Sequence, residues 1–209
     1  MDPFQRQRWK LVPRHSCPPA SSVAALVRAF TPEKVLCQRL TPRTRESARP
    51  NTLSSRYGLE AFPIHTDFAM ANIPARYIML VAPRARPTDT LIFDTRELIE
   101  VFGFEHLERC LFLQRGRTSH YCRLVTMSGG EPIFRYNKAV MEPKNHEAES
   151  VATYIENQME CVQRVDWTES RIAVMDNWTT LHSRDACGTA ASVGLFRLAI
   201  WGAAHDMDY

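Results

Sequence analysis

Short apolar segments that end at prolines or polar turn residues recur along this chain, and they restrict its fold more than any other feature. The sequence predicts strands at 34–40, 77–82, 90–93, 121–127, 132–136, 171–176 and 195–201, with a Ser-Gly-Gly turn at 128–130. Helices are predicted at 21–30, 96–111 and 146–164, the last two from apolar residues at helical spacing. Because strands and helices do not alternate, we expect a mainly β fold with helical insertions, a β-sandwich or a jelly roll (double-stranded β-helix).

The positive charge of the chain is concentrated near its start. Its 209 residues fit a single domain, in which we distinguish a basic head (1–50) from a jelly-roll core (53–201) that carries an insertion at about 95–170. Residues 1–60 have a net charge of +7 and the remaining residues −4. The head has no dense lysine and arginine run with interleaved aromatic residues, so nucleic acid is not the expected partner, and a solvated basic surface is the simpler interpretation.

The sequence has no marks of membrane insertion or export. No apolar run approaches the ~20 residues of a transmembrane helix, and the first residues contain no apolar stretch of the kind found in secretory signals. The six cysteines form no Cys-X-X-Cys pair, which disfavours a zinc ribbon. We therefore expect a cytoplasmic protein with reduced thiols.

A His-X-Asp pair lies in the segment 62–68. On a strand, His65 and Asp67 point to the same face, where they offer two of the three ligands of the 2-His-1-carboxylate triad that binds Fe(II). A second histidine, His182, follows 117 residues after the first. Taken singly, each histidine is more simply interpreted as an ordinary half-buried side chain. Asn177 is a candidate to orient a ligand, with a strand-end hydrogen bond as the alternative.

Arg197 is the one charged residue in the predicted strand at 195–201. An arginine that points between the sheets requires an anionic partner, because an unpaired buried charge is very costly. Its planar guanidinium can hold a carboxylate through two hydrogen bonds. A small 2-oxo acid is therefore a natural ligand for it.

The segments YGLEAFPIHTD, PARYIMLVAP, FRYNKAVMEP and DNWTTLHSRD, followed by FRLAIWG, give the chain a resemblance to a known family. They are similar to the Fe(II)/2-oxoglutarate-dependent oxygenases of the taurine dioxygenase type (TauD/TfdA-like), in the clavaminate-synthase-like superfamily, over about residues 53–201. Arg197 lies 15 residues after His182 and Thr90 lies 25 residues after His65, at the family's spacing for its 2-oxoglutarate-binding pair. Thr88 fits that spacing less well.

The resemblance implies a 2-oxoglutarate-dependent dioxygenase. In it, His65, Asp67 and His182 would bind Fe(II), Arg197 and Thr90 would hold the co-substrate 2-oxoglutarate, and O2 would be the oxidant. Succinate and CO2 would be released. Halogenating relatives carry Gly or Ala at the position of Asp67, so its presence favours hydroxylation or a related oxidation of a small molecule, as in bacterial specialised metabolism.

Two other functions stay open beside this one. A nucleic-acid oxygenase of the demethylase type is suggested by the basic head, but the second arginine usual for that group is absent around Arg197. A non-catalytic metal-binding protein on the same fold is disfavoured by the intact motif. The chain is shorter than typical relatives, so its substrate cover is either short or supplied by a second subunit of a homo-oligomer.

Side chains that flank the motifs are candidates for the substrate pocket: Tyr57, Phe68, Arg135, Asn137, Trp178 and Arg184. Arg135 and Asn137 suit an anionic or polar substrate, and Arg184 would share the face of His182 if the strand continues. Core packing of the aromatic residues, and a structural salt bridge of Arg135, are equally compatible with the sequence.

Overall fold

The computed structural model describes residues 8–15, 20–116, 118–157, 162–187 and 194–202. Its strands, numbered along the chain, are β1 (Trp9–Pro13), β2 (Pro32–Leu40), β3 (Tyr77–Val81), β4 (Thr90–Asp94), β5 (Leu111–Gln114), β6 (His120–Arg123), β7 (Val125–Ser128), β8 (Glu131–Phe134), β9 (Met141–Pro143), β10 (Gln163–Val165), β11 (Ser170–Asp176), β12 (Thr180–Arg184) and β13 (Leu195–Gly202). Its helices are α1 (Ala20–Ala29), α2 (Leu53–Tyr57), α3 (Arg96–Phe102), α4 (Phe104–Arg109) and α5 (His146–Asn157). None of the helices in these ranges has the length and apolar character needed to cross a membrane.

Two antiparallel sheets pack against each other. The larger has five strands in the order β1-β11-β3-β13-β2, and the smaller has three in the order β10-β4-β12. Their facing sides meet in one cluster of buried apolar residues, to which the larger sheet contributes Ile78, Met175 and Ala199 and the smaller sheet Ile92. Since alternate residues of each strand point into the space between the sheets, side chains from both sheets can converge there.

Helices cover the outer faces of both sheets. On the larger sheet, Met79 and its neighbours pack against Phe30 and the α1 residue Val27. On the smaller sheet, Phe93 and Leu181 belong to a cluster that includes α3, α4, α5 and the small sheets β6-β5-β9 and β7-β8. Central strands are therefore buried on both faces, which explains why segments such as YIMLV are continuously apolar rather than alternating.

Every predicted strand and helix has a counterpart in the structure, with three corrections. The strand predicted at 121–127 is two strands, β6 and β7, because the N–H of Leu124 between them bonds instead to the carbonyl of Cys110. The helix predicted at 96–111 is divided into α3 and α4 at Gly103, whose φ is +75°, and it gives way to β5. The helix predicted at 146–164 ends at Asn157, since β10 pairs with β4; residues 158–161 lie outside the described ranges.

The basic head forms part of the larger sheet. Its strand β1 pairs with β11 and its strand β2 pairs with β13, so the head supplies both edge strands. The boundary predicted at residue 53 therefore does not separate the head from the core. Pairing across so long a sequence distance leaves no local signal, and the sequence analysis missed β1 altogether.

Candidate metal centre

His65 and His182 lie directly opposite each other on neighbouring antiparallel segments. Each donates its backbone N–H to the carbonyl of the other, with N···O distances of 2.9 Å. Residues paired in this way project their side chains to the same face, and the two imidazole centroids are 4.6 Å apart. The pairing thus brings together two histidines that are far apart in the sequence.

Asp67 projects into the same space because residues alternate along this segment. Thr66 points the other way, where its hydroxyl donates to the carbonyl of Phe134 and accepts the N–H of Tyr136, both at 3.2 Å. The fully buried Asn177 fixes the backbone of Asp67, since its Oδ1 accepts the Asp67 N–H and its Nδ2 donates to the Asp67 carbonyl, each at 3.0 Å. Asn177 therefore positions a candidate ligand through the backbone.

The donor atoms of the three predicted ligands converge. One ligand atom each from His65, Asp67 and His182 lies within 4.8 Å of the others, and all three residues are buried. His182 Nε2 is 3.5 Å from Asp67 Oδ2, and His65 Nε2 is 3.9 Å from Asp67 Oδ1. Two imidazoles and one carboxylate are the donor set of non-heme Fe(II) sites with open coordination positions.

The protonation states of this group suit a bound cation. Burial, reinforced by the charge of His182, lowers the pKa of His65 to about 4, so its imidazole is neutral at neutral pH. Burial alone would raise the pKa of Asp67, but Arg197 and His182 outweigh it and hold the pKa below its usual range. His65 Nδ1 lies 2.9 Å from the Pro63 carbonyl, which can only accept, so Nδ1 carries the proton and Nε2 is left as a ligand atom.

One oxygen of this group has no partner that would satisfy it. Asp67 Oδ2 is buried and makes no hydrogen bond, since even His182 Nε2 is too distant at 3.5 Å. A buried carboxylate oxygen without a partner is costly. A divalent metal ion between Asp67 and the two imidazoles would satisfy it, and the residues present therefore fit such an ion.

Arg197 reaches from β13 into the same group. Its Nη1 donates to Asp67 Oδ1 and its Nη2 donates to Oε1 of Gln38, which lies opposite on β2. The guanidinium carbon is 5.1 Å from the centroid of the Phe68 ring. The anionic partner that the sequence required for Arg197 is thus Asp67 in this structure, and Arg197 lies beside the metal-binding side chains.

Thr90 begins β4 and lies on the inner face of the smaller sheet. It pairs with Arg184 across β4 and β12, as Ile92 pairs with His182, so Thr90, Arg184 and His182 share that face. The Thr90 hydroxyl oxygen accepts the indole N–H of Trp167 at 3.0 Å. Because Trp167 occupies an acceptor position, the hydroxyl hydrogen is left to donate to a ligand.

These side chains line one cavity of about 590 Å³. Its inner wall comes from the two sheets, and its border comes from residues within 38–54, which we call the rim segment. Among the described lining residues, Asp67 provides the one carboxylate, whereas six arginines surround it: Arg39, Arg43, Arg49, Arg86, Arg184 and Arg197. This excess of positive charge favours small anionic molecules.

Three of the six predicted substrate residues line the cavity: Phe68, Asn137 and Arg184. Phe68 has a φ of +57° and turns the chain immediately after Asp67. The backbone of Asn137 forms an isolated antiparallel β-bridge with that of His65. The Arg184 guanidinium is already engaged, because it donates to two backbone carbonyls, those of Gly58 at 2.9 Å and Glu60 at 2.6 Å.

The other three, Tyr57, Arg135 and Trp178, are absent from the described lining of the cavity. Arg135 donates to three backbone carbonyls within residues 69–72, at 2.8 to 3.4 Å, and so holds the loop that follows Phe68. The Trp178 indole donates to the Pro74 carbonyl at 3.1 Å. The polar groups of Arg135 and Trp178 thus bind backbone, which replaces the substrate contacts predicted for them.

Several residues that line the cavity were missed by the sequence analysis. The sequence predicts a solvated basic surface for the head, which includes the rim arginines Arg39, Arg43 and Arg49, and Gln38 has no signal beyond its place on the strand predicted at 34–40. Arg86 lies in the proline-rich segment 83–89, which is typical of an exposed loop, yet it is only 5% exposed. No local pattern distinguishes Arg86, since Arg84 lies between the same two prolines and is exposed.

No protein-family model and no curated protein matches the sequence. Solved structures do share its fold. An asparagine oxygenase in complex with Fe(II), 3-hydroxyasparagine and succinate superposes with a TM-score of 0.59 at 13% identity, over 90% of this chain and 80% of that one. The PvcB protein of Pseudomonas aeruginosa gives 0.59 at 14% identity, over 90% and 72%.

The non-heme iron oxygenase OrfP, in complex with Fe and alpha-ketoglutaric acid, is also similar. Its TM-score is 0.57 at 15% identity, over 81% of this chain and 57% of OrfP. At such identities the likeness establishes a common fold.

Proposed function

We propose that this protein is an Fe(II)- and 2-oxoglutarate-dependent oxygenase that hydroxylates or otherwise oxidises a small molecule, with release of succinate and CO2. The observation that carries the proposal is the buried group His65, Asp67 and His182 in the wall of a cavity, within a fold shared with non-heme iron oxygenases. We infer that the two facing sheets are the jelly roll of those enzymes and that the chain is a single oxygenase domain. The free state of Cys37, Cys110, Cys122 and Cys187 supports a cytoplasmic location.

His65, Asp67 and His182 would hold the iron. The unbonded Oδ2 of Asp67, the neutral His65 imidazole and the ionised Asp67 carboxylate all support this assignment. When bound, the iron supplies the redox chemistry that couples decarboxylation of 2-oxoglutarate to oxidation of the substrate. The protein contributes by holding the ligands in place, and Asn177 does so through the backbone of Asp67.

Arg197 and Thr90 would bind the 2-oxoglutarate carboxylate that is farther from the metal. Arg197 already binds a carboxylate, that of Asp67, and its buried Nε has no hydrogen-bond partner. Binding of a metal by Asp67 would weaken the Asp67–Arg197 pair, because the metal takes up the carboxylate's charge. The guanidinium would then be available to the co-substrate, and the Thr90 hydroxyl would donate a further hydrogen bond.

A small molecule is the substrate class that the cavity suits. Its apolar lining includes Phe62, Phe68, Leu80 and Leu195, which would exclude water from the metal side. The related folds support the same class, since the asparagine oxygenase was crystallised with 3-hydroxyasparagine and OrfP with hydroxylated arginine. We infer an amino acid or another small organic acid.

The test is an anaerobic titration of the full chain with Fe(II) and then with 2-oxoglutarate, followed by measurement of succinate release in air. We expect a metal-to-ligand charge-transfer band in the wild type and in His120→Ala, which removes an exposed histidine of β6. His182→Ala should give no band and no succinate. Arg197→Gln should bind the metal but require at least about tenfold more 2-oxoglutarate, as expected for loss of a charged hydrogen bond.

Two results would contradict the proposal in different ways. Metal binding without any 2-oxoglutarate binding would favour a non-catalytic metal-binding protein. An unchanged band in His182→Ala would instead mean that the ligands have been assigned wrongly.

A further inference from the structure

Arg86 is a buried cation that has no partner among the described residues. It is 5% exposed, and its Nε is buried and makes no hydrogen bond. Across the ranges that the structure describes, no hydrogen bond or ion pair joins its guanidinium to another residue. Two other buried arginines also have an unbonded Nε, but their Nη groups have partners, since Arg76 pairs with Asp176 and Glu131 and Arg135 donates to backbone carbonyls. Arg86 therefore differs from them in needing a partner from outside the described chain.

Asp89 is the acidic residue whose charge acts on Arg86, but no hydrogen bond or ion pair between the two side chains is described. Asp89 raises the pKa of Arg86, and its Oδ2 forms an ion pair with Arg164 Nη1 at 3.6 Å. Burial lowers the pKa of Arg86 more than Cys187 and Asp89 raise it. Since an arginine nevertheless stays charged at neutral pH, a full positive charge is enclosed at this position.

Arg86 lines the cavity that holds the metal-binding side chains, together with Thr90 and Arg184. Its guanidinium charge acts on Arg184, whose pKa it helps to lower. The backbone conformation of Arg86 is restricted, because the proline that follows, Pro87, favours extended φ and ψ angles at the residue before it. Arg184 is occupied by two backbone carbonyls and Arg197 by Asp67 and Gln38. The lining arginines Arg39, Arg43 and Arg49 are exposed to solvent, so Arg86 is the buried arginine of the lining that has no partner among the described residues.

We propose that Arg86 binds a carboxylate inside the cavity, at a position separate from the metal ligands and from Arg197. The inference rests on the proposed function for the identity of the molecule that carries this carboxylate. Two sources share the chemistry: an acidic group of the substrate, or the distal carboxylate of 2-oxoglutarate. Because Arg197 and Thr90 are assigned to the latter, an acidic substrate is the source we expect.

The experiment compares Arg86→Gln with Arg84→Gln, which removes an exposed arginine from the same loop. Full-length protein loaded with Mn(II) is first titrated anaerobically with 2-oxoglutarate by calorimetry. The complex is then titrated with succinate, L-aspartate, L-glutamate and L-asparagine, and the same four probes are added to metal-free protein. We expect Arg86→Gln to bind at least one probe about tenfold or more weakly than Arg84→Gln, with 2-oxoglutarate affinity unchanged.

The outcomes separate the two sources from each other and from the proposed function. A loss confined to 2-oxoglutarate supports the carboxylate site and makes the co-substrate its ligand. If no metal or 2-oxoglutarate binds the wild type, the oxygenase proposal fails while the metal-free titrations still test Arg86. Equal binding of every ligand by both variants, including no binding by either, overturns the inference about Arg86.

A second measurement separates ligand binding from a structural role. Arg86→Met replaces the charge by an apolar side chain of similar length. We expect it to raise the thermal midpoint of the ligand-free protein, because an unpaired buried charge is destabilising. A lowered midpoint would show that Arg86 supports the fold instead. If Arg86→Gln also bound every ligand as Arg84→Gln does, the two results together would overturn the proposal.

Discussion

The two sides of the cavity are built in different ways. On the metal side, hydrogen bonds join residues distant in sequence: Asn177 binds the backbone of Asp67, 110 positions away, and His65 pairs with His182. In the rim segment, residues 38–40 belong to β2, but beyond them Arg43 and Thr44 bond to Ser47, three or four positions away, and these side chains are exposed. The difference indicates that the metal side loses its structure only when the whole fold opens, whereas the rim beyond β2 can rearrange locally.

This contrast assigns separate tasks to the two sides. A metal site requires fixed ligand positions, which long-range bonds between buried residues provide. A border that admits a substrate benefits from local stability and from charge. Changes on the metal side should therefore reduce metal affinity strongly, and changes in the rim should alter access with little effect on the metal.

The largest effect is expected for Asn177→Ala. It removes both hydrogen bonds to the Asp67 backbone and leaves a buried N–H and carbonyl unsatisfied, so we expect metal affinity to fall about 10- to 100-fold. The free energy of unfolding should fall by about 1–3 kcal/mol. Calorimetric titration with Mn(II) and denaturant unfolding measure the two effects.

The matched control is Asn157→Ala, which changes an exposed asparagine at the end of α5. It should leave metal affinity unchanged and alter stability by less than about 0.5 kcal/mol. If Asn177→Ala bound the metal as tightly as this control, the metal side would not depend on its long-range bonds.

The same contrast explains what the sequence could predict. His65 and Asp67 are two residues apart on one strand, so their shared face follows from alternation alone. The spacing typical of the family predicted the roles of three further residues: His182, Arg197 and Thr90. Arg135 was predicted as a pocket residue and lies elsewhere, because its direction depends on which backbone carbonyls the folded loop presents to it.

The residues that form the border of the cavity could not be predicted, because no local sequence pattern identifies them. The charge of the rim segment was visible, but its place beside the metal side depends on the pairing of β2 with β13 over more than 150 residues. Arg86 was hidden for a similar reason, since a proline-rich segment does not reveal what the fold packs around it. Whether a charged side chain is buried depends on residues that are distant in the sequence, so a local sequence pattern does not show it.

A smaller effect is expected for the triple change of Arg39, Arg43 and Arg49 to Gln. These exposed rim arginines should attract dianionic 2-oxoglutarate, so we expect its association rate to fall a few-fold at low ionic strength. The difference should disappear at high salt, because exposed charges are screened. Stopped-flow mixing of the anaerobic Fe(II) protein with 2-oxoglutarate measures the rate.

The control for this triple variant changes three other exposed arginines to Gln, Arg28, Arg56 and Arg84, which removes the same charge away from the cavity lining. Metal affinity should be unchanged in both triple variants. Equal slowing in both would mean that net charge alone matters, and that the position of the rim has no special role.

The smallest effect is expected for Thr52→Ala, at the start of α2 in the rim segment. The Thr52 side chain accepts the Ser55 N–H at 3.3 Å and forms a capping box with Ser55, so its loss should destabilise this short helix by about 1 kcal/mol. Hydrogen exchange of residues 53–57 should become faster, whereas Mn(II) affinity should not change, because no described bond links the cap to the metal side. Thr52→Ser keeps a hydroxyl at the same position and should restore the protection. A loss of metal affinity in Thr52→Ala, repaired in Thr52→Ser, would show that the two sides of the cavity are coupled after all.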